Sequence, residues 1–156
     1  MSPATVRLLT VGLVLLTLLA AAPAGGGEKD VQVSVIVILA SENDTKIDPK
    51  LKSIAREVSK THKNLTGFRI GRMTRKPMAL GTADKFDLVG DQAATITVQP
   101  GVEKKSRFQL KVAPPLMGEI TYDTCCGKFL PICTPYRTKK NETLIIAVRV
   151  QPCKSK

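Results

Sequence analysis

Four cysteines, Cys125, Cys126, Cys133 and Cys153, fall in the last third of the 156-residue chain and are its most chemically versatile side chains. Their spacing, Cys-Cys-x6-Cys-x19-Cys, lacks the paired Cys-x-x-Cys of a zinc ribbon, and the single histidine is far off in sequence. A thiol oxidoreductase places Cys-x-x-Cys at a helix N-terminus to lower the thiol pKa, whereas these cysteines sit among prolines and strand-type residues. Neither a metal nor a cofactor is expected. Disulfides are the remaining chemistry for four cysteines in an oxidising compartment.

Other reactive side chains are isolated. His62 follows Val58 by four residues and so continues a helical apolar stripe, which predicts a partly buried helix-end residue interacting with nearby carbonyls. Asp84, Asp87 and Asp91 cluster around one expected hairpin but lack the glycine-punctuated spacing of a calcium loop, so turn solubility is the role expected of them. The sequence contains no nucleophile elbow, phosphate-cradling glycine loop or H-E-x-x-H, and no catalytic residue is assigned. Asn43, Asn64 and Asn141 all lie in glycosylation sequons, which matter only in a eukaryotic secretory pathway.

The N-terminus supplies the compartment. Met1 to Arg7 carries one positive charge, Leu8 to Ala22 is almost wholly apolar, and Ala22-Pro23-Ala24 offers small residues for signal peptidase. The apolar run is shorter than the roughly 20 residues of a permanent span. Residues 1–24 therefore read as a cleaved signal, 25–30 as a flexible leader, 31–153 as a single β-rich domain and 154–156 as a basic tail. No membrane span is expected after cleavage, and the expected location is periplasmic or secreted.

Loss of Arg7 with the signal takes the formal net charge from +11 to +10. The basic residues are spread along the chain, and with no Trp, two Tyr and four Phe there is little to stack on bases, so no nucleic-acid partner is expected. Arg69, Arg72, Arg75 and Lys76 form the densest local cluster and the candidate anion-binding site, for an anionic polymer or an envelope protein.

These residues must be positioned by a fold, and the patterning is mostly β. Val31 to Ala40 begins as strict alternation and ends apolar on both faces, the mark of a central strand. Asp48-Pro49 opens a helix, since the carboxylate caps free amides and proline suits the first helical position. Leu51, Ile54, Ala55 and Val58 give it one apolar face, and it is expected to end near Lys63-Asn64. After Gly67 come short Val-, Ile-, Thr- and Phe-rich runs at 68–73, 78–80, 85–89, 93–99, 107–113, 118–123, 129–137 and 142–150, with Lys76-Pro77 read as one of the turns between them. The expected fold is α+β: a mostly antiparallel β-sandwich or partly open barrel, with one amphipathic helix after the first strand. Ile145-Ile146-Ala147-Val148 places the last strand inside the sheet as well.

A hairpin turning near Lys139-Lys140 brings Cys126 almost opposite Cys153 and leaves Cys125 and Cys133 to close a loop around Gly127. The swapped pairing, Cys126 with Cys133 and Cys125 with Cys153, stays open. A bond between adjacent Cys125 and Cys126 demands a strained peptide.

Asp48-Pro49-x-Leu51-x-x-Ile54, Leu80-Gly81-x-x-x-x-Phe86-x-Leu88, Phe108-x-Leu110-x-Val112 and Leu144-Ile145-Ile146-x-Val148 resemble a pattern in uncharacterised small signal-peptide-bearing proteins of certain large-genome bacteria. The resemblance covers most of the mature chain and implies a bacterial periplasmic or secreted setting and an α+β fold. It carries no catalytic motif. The expected function is that of an exported, non-enzymatic domain with a structural or interaction role in the bacterial cell envelope or periplasm, the alternative being a basic module for anionic envelope polymers.

Overall fold

A computed structural model of the protein describes residues 30–102, 108–125 and 127–152. The expected signal and leader through residue 29, the basic tail, and the cysteines Cys126 and Cys153 lie outside the described residues. The elements run β1 (Val31–Ser41), a 3-10 turn (Pro49–Leu51), α1 (Lys52–Ser59), β2 (Gly67–Met78), β3 (Ala83–Asp87), β4 (Ala93–Pro100), β5 (Phe108–Ala113), β6 (Ile120–Thr124), β7 (Leu130–Arg137) and β8 (Thr143–Pro152). They make two four-stranded antiparallel sheets, β2-β1-β8-β7 and β3-β4-β5-β6. The second is a meander. The fold is an α+β sandwich, not closed into a barrel.

The two-sided apolar runs are explained by three stacked layers. Val33, Val35, Val37 and Leu39 of β1, with Leu144, Ile146, Val148 and Val150 of β8, face Phe86, Ile96, Leu110 and Val112 of the second sheet. Ile36, Ile38 and Ala40, with Ile145 and Ala147, face outward under Leu51, Ile54, Ala55 and Val58 of the helical segment. Strands β1 and β8 are thus central and covered on both sides, as their sequences require. The helix-side cluster begins at Ile36, and before it the first half of β1 alternates, with polar Gln32 and Ser34 on that side.

Local signals place the helix. The Asp48 carboxylate accepts from the Lys50 amide at 2.9 Å, and Pro49 takes the first helical position, where a missing N–H costs nothing. The helix ends at Ser59, earlier than Lys63-Asn64, because the amides of Thr61 and His62 both turn back to the Val58 carbonyl, at 3.1 and 2.9 Å. Leu65 then dips into the helix-side core.

The main departure concerns Lys76-Pro77. The expected turn there is absent, and residues 67–78 form one twelve-residue strand. Pro77 is tolerated because β2 lies at the edge of its sheet and pairs only with β1, so a missing amide need not break a ladder. A register shift opposite Val37/Ile38 inserts Gly71, and β2 changes phase at that bulge. A Cβ on Gly71 would come within 3.2 Å of Val89 and 3.3 Å of Leu39, so glycine allows β2 to lie this close.

Candidate functional site

The bulge decides what the basic cluster becomes. Cross-strand partners share a face: Arg69 pairs with Leu39, Arg72 with Val37 and Lys76 with Val33, all on the side facing the second sheet, whereas Arg75 pairs with Ser34 on the helix side. The four residues therefore do not form one surface. Arg69 makes a two-point ion pair with Glu142, at 2.6 and 2.8 Å. Arg72 lies 4.0 Å from Asp87. The Lys76 ammonium is 3.4 Å from Asp84, donates to the Lys85 carbonyl at 2.8 Å and sits 4.5 Å above the Phe86 ring. Three of the four cations are thus tied to carboxylates, and Arg75 alone has no ion pair among the described residues.

The same contacts account for the acidic trio. Asp84 and Asp87 face cations of β2 along the margin where the two sheets meet, while Asp91 accepts from the Gln92 side chain at 3.0 Å in the β3–β4 turn. Among the described residues no group of His, Cys, Asp and Glu is placed to hold a metal ion.

His62 is exposed rather than partly buried, since the helix has ended before it. Its Nδ1 lies 2.9 Å from Thr61 Oγ1 and 3.8 Å from Cys133 Sγ. Cys133 is an unbonded, half-buried thiol whose strand turns it toward the helix, and burial pushes its pKa above the ordinary thiol value. Cys133 is not bonded to Cys125, and the pairings through Cys126 or Cys153 lie outside the described residues. Cys125 follows β6 of the other sheet and is exposed.

The Arg69–Glu142 pair borders a cleft of about 320 Å³ between the loop after β1 and the start of β2, with Asp44, Lys46 and Asp48 on its walls. Glu142 is buried, also accepts from Thr138 Oγ1 at 3.2 Å, and is held below the usual carboxylate range chiefly by the Arg69 hydrogen bonds. Its charge is committed to joining β2 to the β7–β8 turn.

A different basic surface emerges on the helix. Lys50, Lys52, Arg56, Lys60 and Lys63 are all exposed along 50–63, and Glu57 is the one carboxylate in that stretch, bound to Lys60 at 2.8 Å. Arg56 and Lys60 face Lys128 and Phe129 across an open groove of about 590 Å³ between the helix and the start of β7. The helical period that buries Ile54 and Val58 puts Lys52 and Arg56 on the solvent side, with Lys60 at the C-cap and Lys50 and Lys63 flanking the helix. That ridge was readable from the sequence, whereas Lys128 joins it only through the fold.

No protein-family model matches the chain, and no curated protein or solved structure is similar to it.

Proposed function

We propose that this chain is an exported, non-enzymatic β-sandwich module with a structural or interaction role outside the cytoplasm, in a bacterial periplasm or envelope. The observation that carries the reading is how its chemically capable side chains are used. Glu142, Asp84 and Asp87 bind the cations of β2 at the seams of the sandwich, and the Cys133 thiol is packed under the helix with a raised pKa. Groups engaged in this way join strands rather than meet a substrate. The test is a panel in which Glu142, His62 and Asp84 are separately replaced by Gln, Ala and Asn. Interaction with the envelope fraction is expected to follow folded-protein content alone, and a variant that folds normally yet loses a chemical turnover contradicts the reading.

The helix ridge favours a second reading, a basic module docking an anionic polymer. Lys52, Arg56 and Lys60 on one exposed face, flanked by Lys50 and Lys63 and with Lys128 across the groove, attract polyanions in a salt-dependent way. Retention on a phosphate-rich polysaccharide resin is expected to fall steeply with salt, and to drop further when Arg56, Lys60 and Lys128 become Gln. Retention that falls instead on neutralising Arg69, Arg72 and Lys76 removes this assignment.

A further inference from the structure

The helix side of the first sheet holds a second, smaller basic feature, which shares Phe129 with the groove beside the ridge. Ser34 of β1 faces Arg75 of β2 on one side and Arg149 of β8 on the other, in consecutive register positions. With neighbouring strands about 4.8 Å apart, the two arginines flank one serine at about 10 Å from each other, within reach of two long side chains. Phe129 continues the row, and its ring lies 4.5 Å from the Arg149 guanidinium. Between them is a cavity of about 170 Å³, lined by Ser34, Arg75, Arg149, Thr74, Phe129 and Met73, together with Val35 and Ile36. Among its described lining residues there is no carboxylate.

Two polar atoms at this place are buried without a partner: Ser34 Oγ, on a residue only 7% exposed, and Arg149 Nε. An arginine Nε–H is a donor and never an acceptor, and a serine hydroxyl donates readily. Arg149 Nε therefore lacks an acceptor, and the same acceptor can take the Ser34 hydroxyl proton. A buried donor left unmatched is costly, and two cations facing one serine without an anion add mutual repulsion. The Arg149 guanidinium sits over the Phe129 ring, which restrains it, and guanidinium N–H groups are the donors by which arginine grips an oxyanion. The cavity is smaller than the roughly 300 to 1,000 Å³ of a drug-sized site, which suits a single charged group.

We propose that Arg75, Ser34 and Arg149 form a binding site for one tetrahedral oxyanion, a phosphate-type group, held by the two guanidinium groups and the Ser34 hydroxyl. The group arrives either as free phosphate or as the terminal phosphate of a larger molecule. Its binding supplies an acceptor to Arg149 Nε and to the Ser34 hydroxyl, and separates the charges of the two arginines.

The test is a titration of the purified, isotope-labelled full chain with potassium phosphate, against potassium chloride at matched ionic strength, followed by NMR at the Ser34 and Arg75 amides and the Arg149 Nε. A saturable shift specific to phosphate is expected. Arg75→Gln and Arg149→Gln should each weaken it about tenfold or more, and Ser34→Ala about fivefold. Lys139→Gln, in the exposed turn between β7 and β8, should leave it unchanged. Glycerol phosphate distinguishes the sources: binding at least as tight as inorganic phosphate assigns an esterified group, and exclusion of the ester with retention of inorganic phosphate assigns the free ion. The absence of a saturable shift, a shift that chloride reproduces, or one that survives Arg75→Gln overturns the proposal. Arg75 is exposed, so that last variant is not confounded by unfolding.

Discussion

Arg69 on β2 and Glu142, just before β8, are joined by two hydrogen bonds of 2.6 and 2.8 Å although 73 residues separate them in sequence. The pair ties an edge strand to the β7–β8 turn past the end of β1. Glu142→Gln keeps the shape and removes the charge. It is expected to lower stability by about 1 to 2 kcal/mol, the range for charged hydrogen bonds discounted because Arg69 is half exposed. Chemical denaturation measures this, and an unchanged midpoint contradicts it.

The same pair sets a pH dependence. Arg69 lowers the folded-state pKa of Glu142 below the ordinary value of 4.5. A depressed carboxylate stabilises the fold fully above its unfolded pKa, and the contribution fades as pH falls through the folded value. Thermal midpoints should therefore decline below about pH 4.5, and Glu142→Gln should flatten that part of the profile. A profile unaltered by the substitution contradicts the assignment.

Gly67 is fixed by contact. A Cβ there would lie 2.8 Å from the Asp44 carbonyl oxygen and 2.9 Å from its Cβ, with backbone rather than a flexible side-chain end in the way. Gly67→Ala should cost about 1 to 3 kcal/mol, as overpacking does, and disturb the turn held by Thr66 Oγ1 on the Asp44 carbonyl at 2.6 Å. Calorimetry showing neutral behaviour would argue against this docking of the loop.

Ion pairs at the sheet margin and the core beneath them should differ sharply in effect. Phe86 is fully buried between the sheets, so Phe86→Ala should cost about 3 to 5 kcal/mol. Arg72→Ala removes a 4.0 Å pair between two well-exposed side chains and should cost less than about 0.5 kcal/mol. Comparable losses from the two would mean that the margin, not the core, holds the sheets together.

In the reduced, folded protein Cys133 should alkylate slowly at neutral pH and accelerate as pH rises past the ordinary value of 9.0, because burial disfavours the thiolate. Mass spectrometry of timed reactions reads this directly. A rate at pH 7 equal to that of a small free thiol contradicts the packed environment.

The fold was largely legible because its strongest signals are local. The two-sided apolar runs of β1 and β8 mark central strands, and Asp48-Pro49 marks the helix start through a cap that one residue supplies. Lys76-Pro77 misleads because proline signals a turn everywhere except on an edge, and edge position is a property of the sheet. The basic cluster misleads for a related reason: residues close in sequence are sorted onto opposite faces, and the Gly71 bulge shifts that sorting partway along β2. Ser34 and Arg149 are 115 positions apart and meet only through the β1–β8 register. The available sequence signal was the polar alternation in the first half of β1, which marks a face that the helix leaves uncovered.

Export is the central claim, and the most direct measurement is mass spectrometry of the chain's N-terminus after fractionation of bacterial cells expressing the full chain. The account predicts a protein beginning at Gly25, or two residues earlier, recovered from the periplasmic or secreted fraction. A folded chain that retains residues 1–24 and stays in the cytoplasm would contradict it.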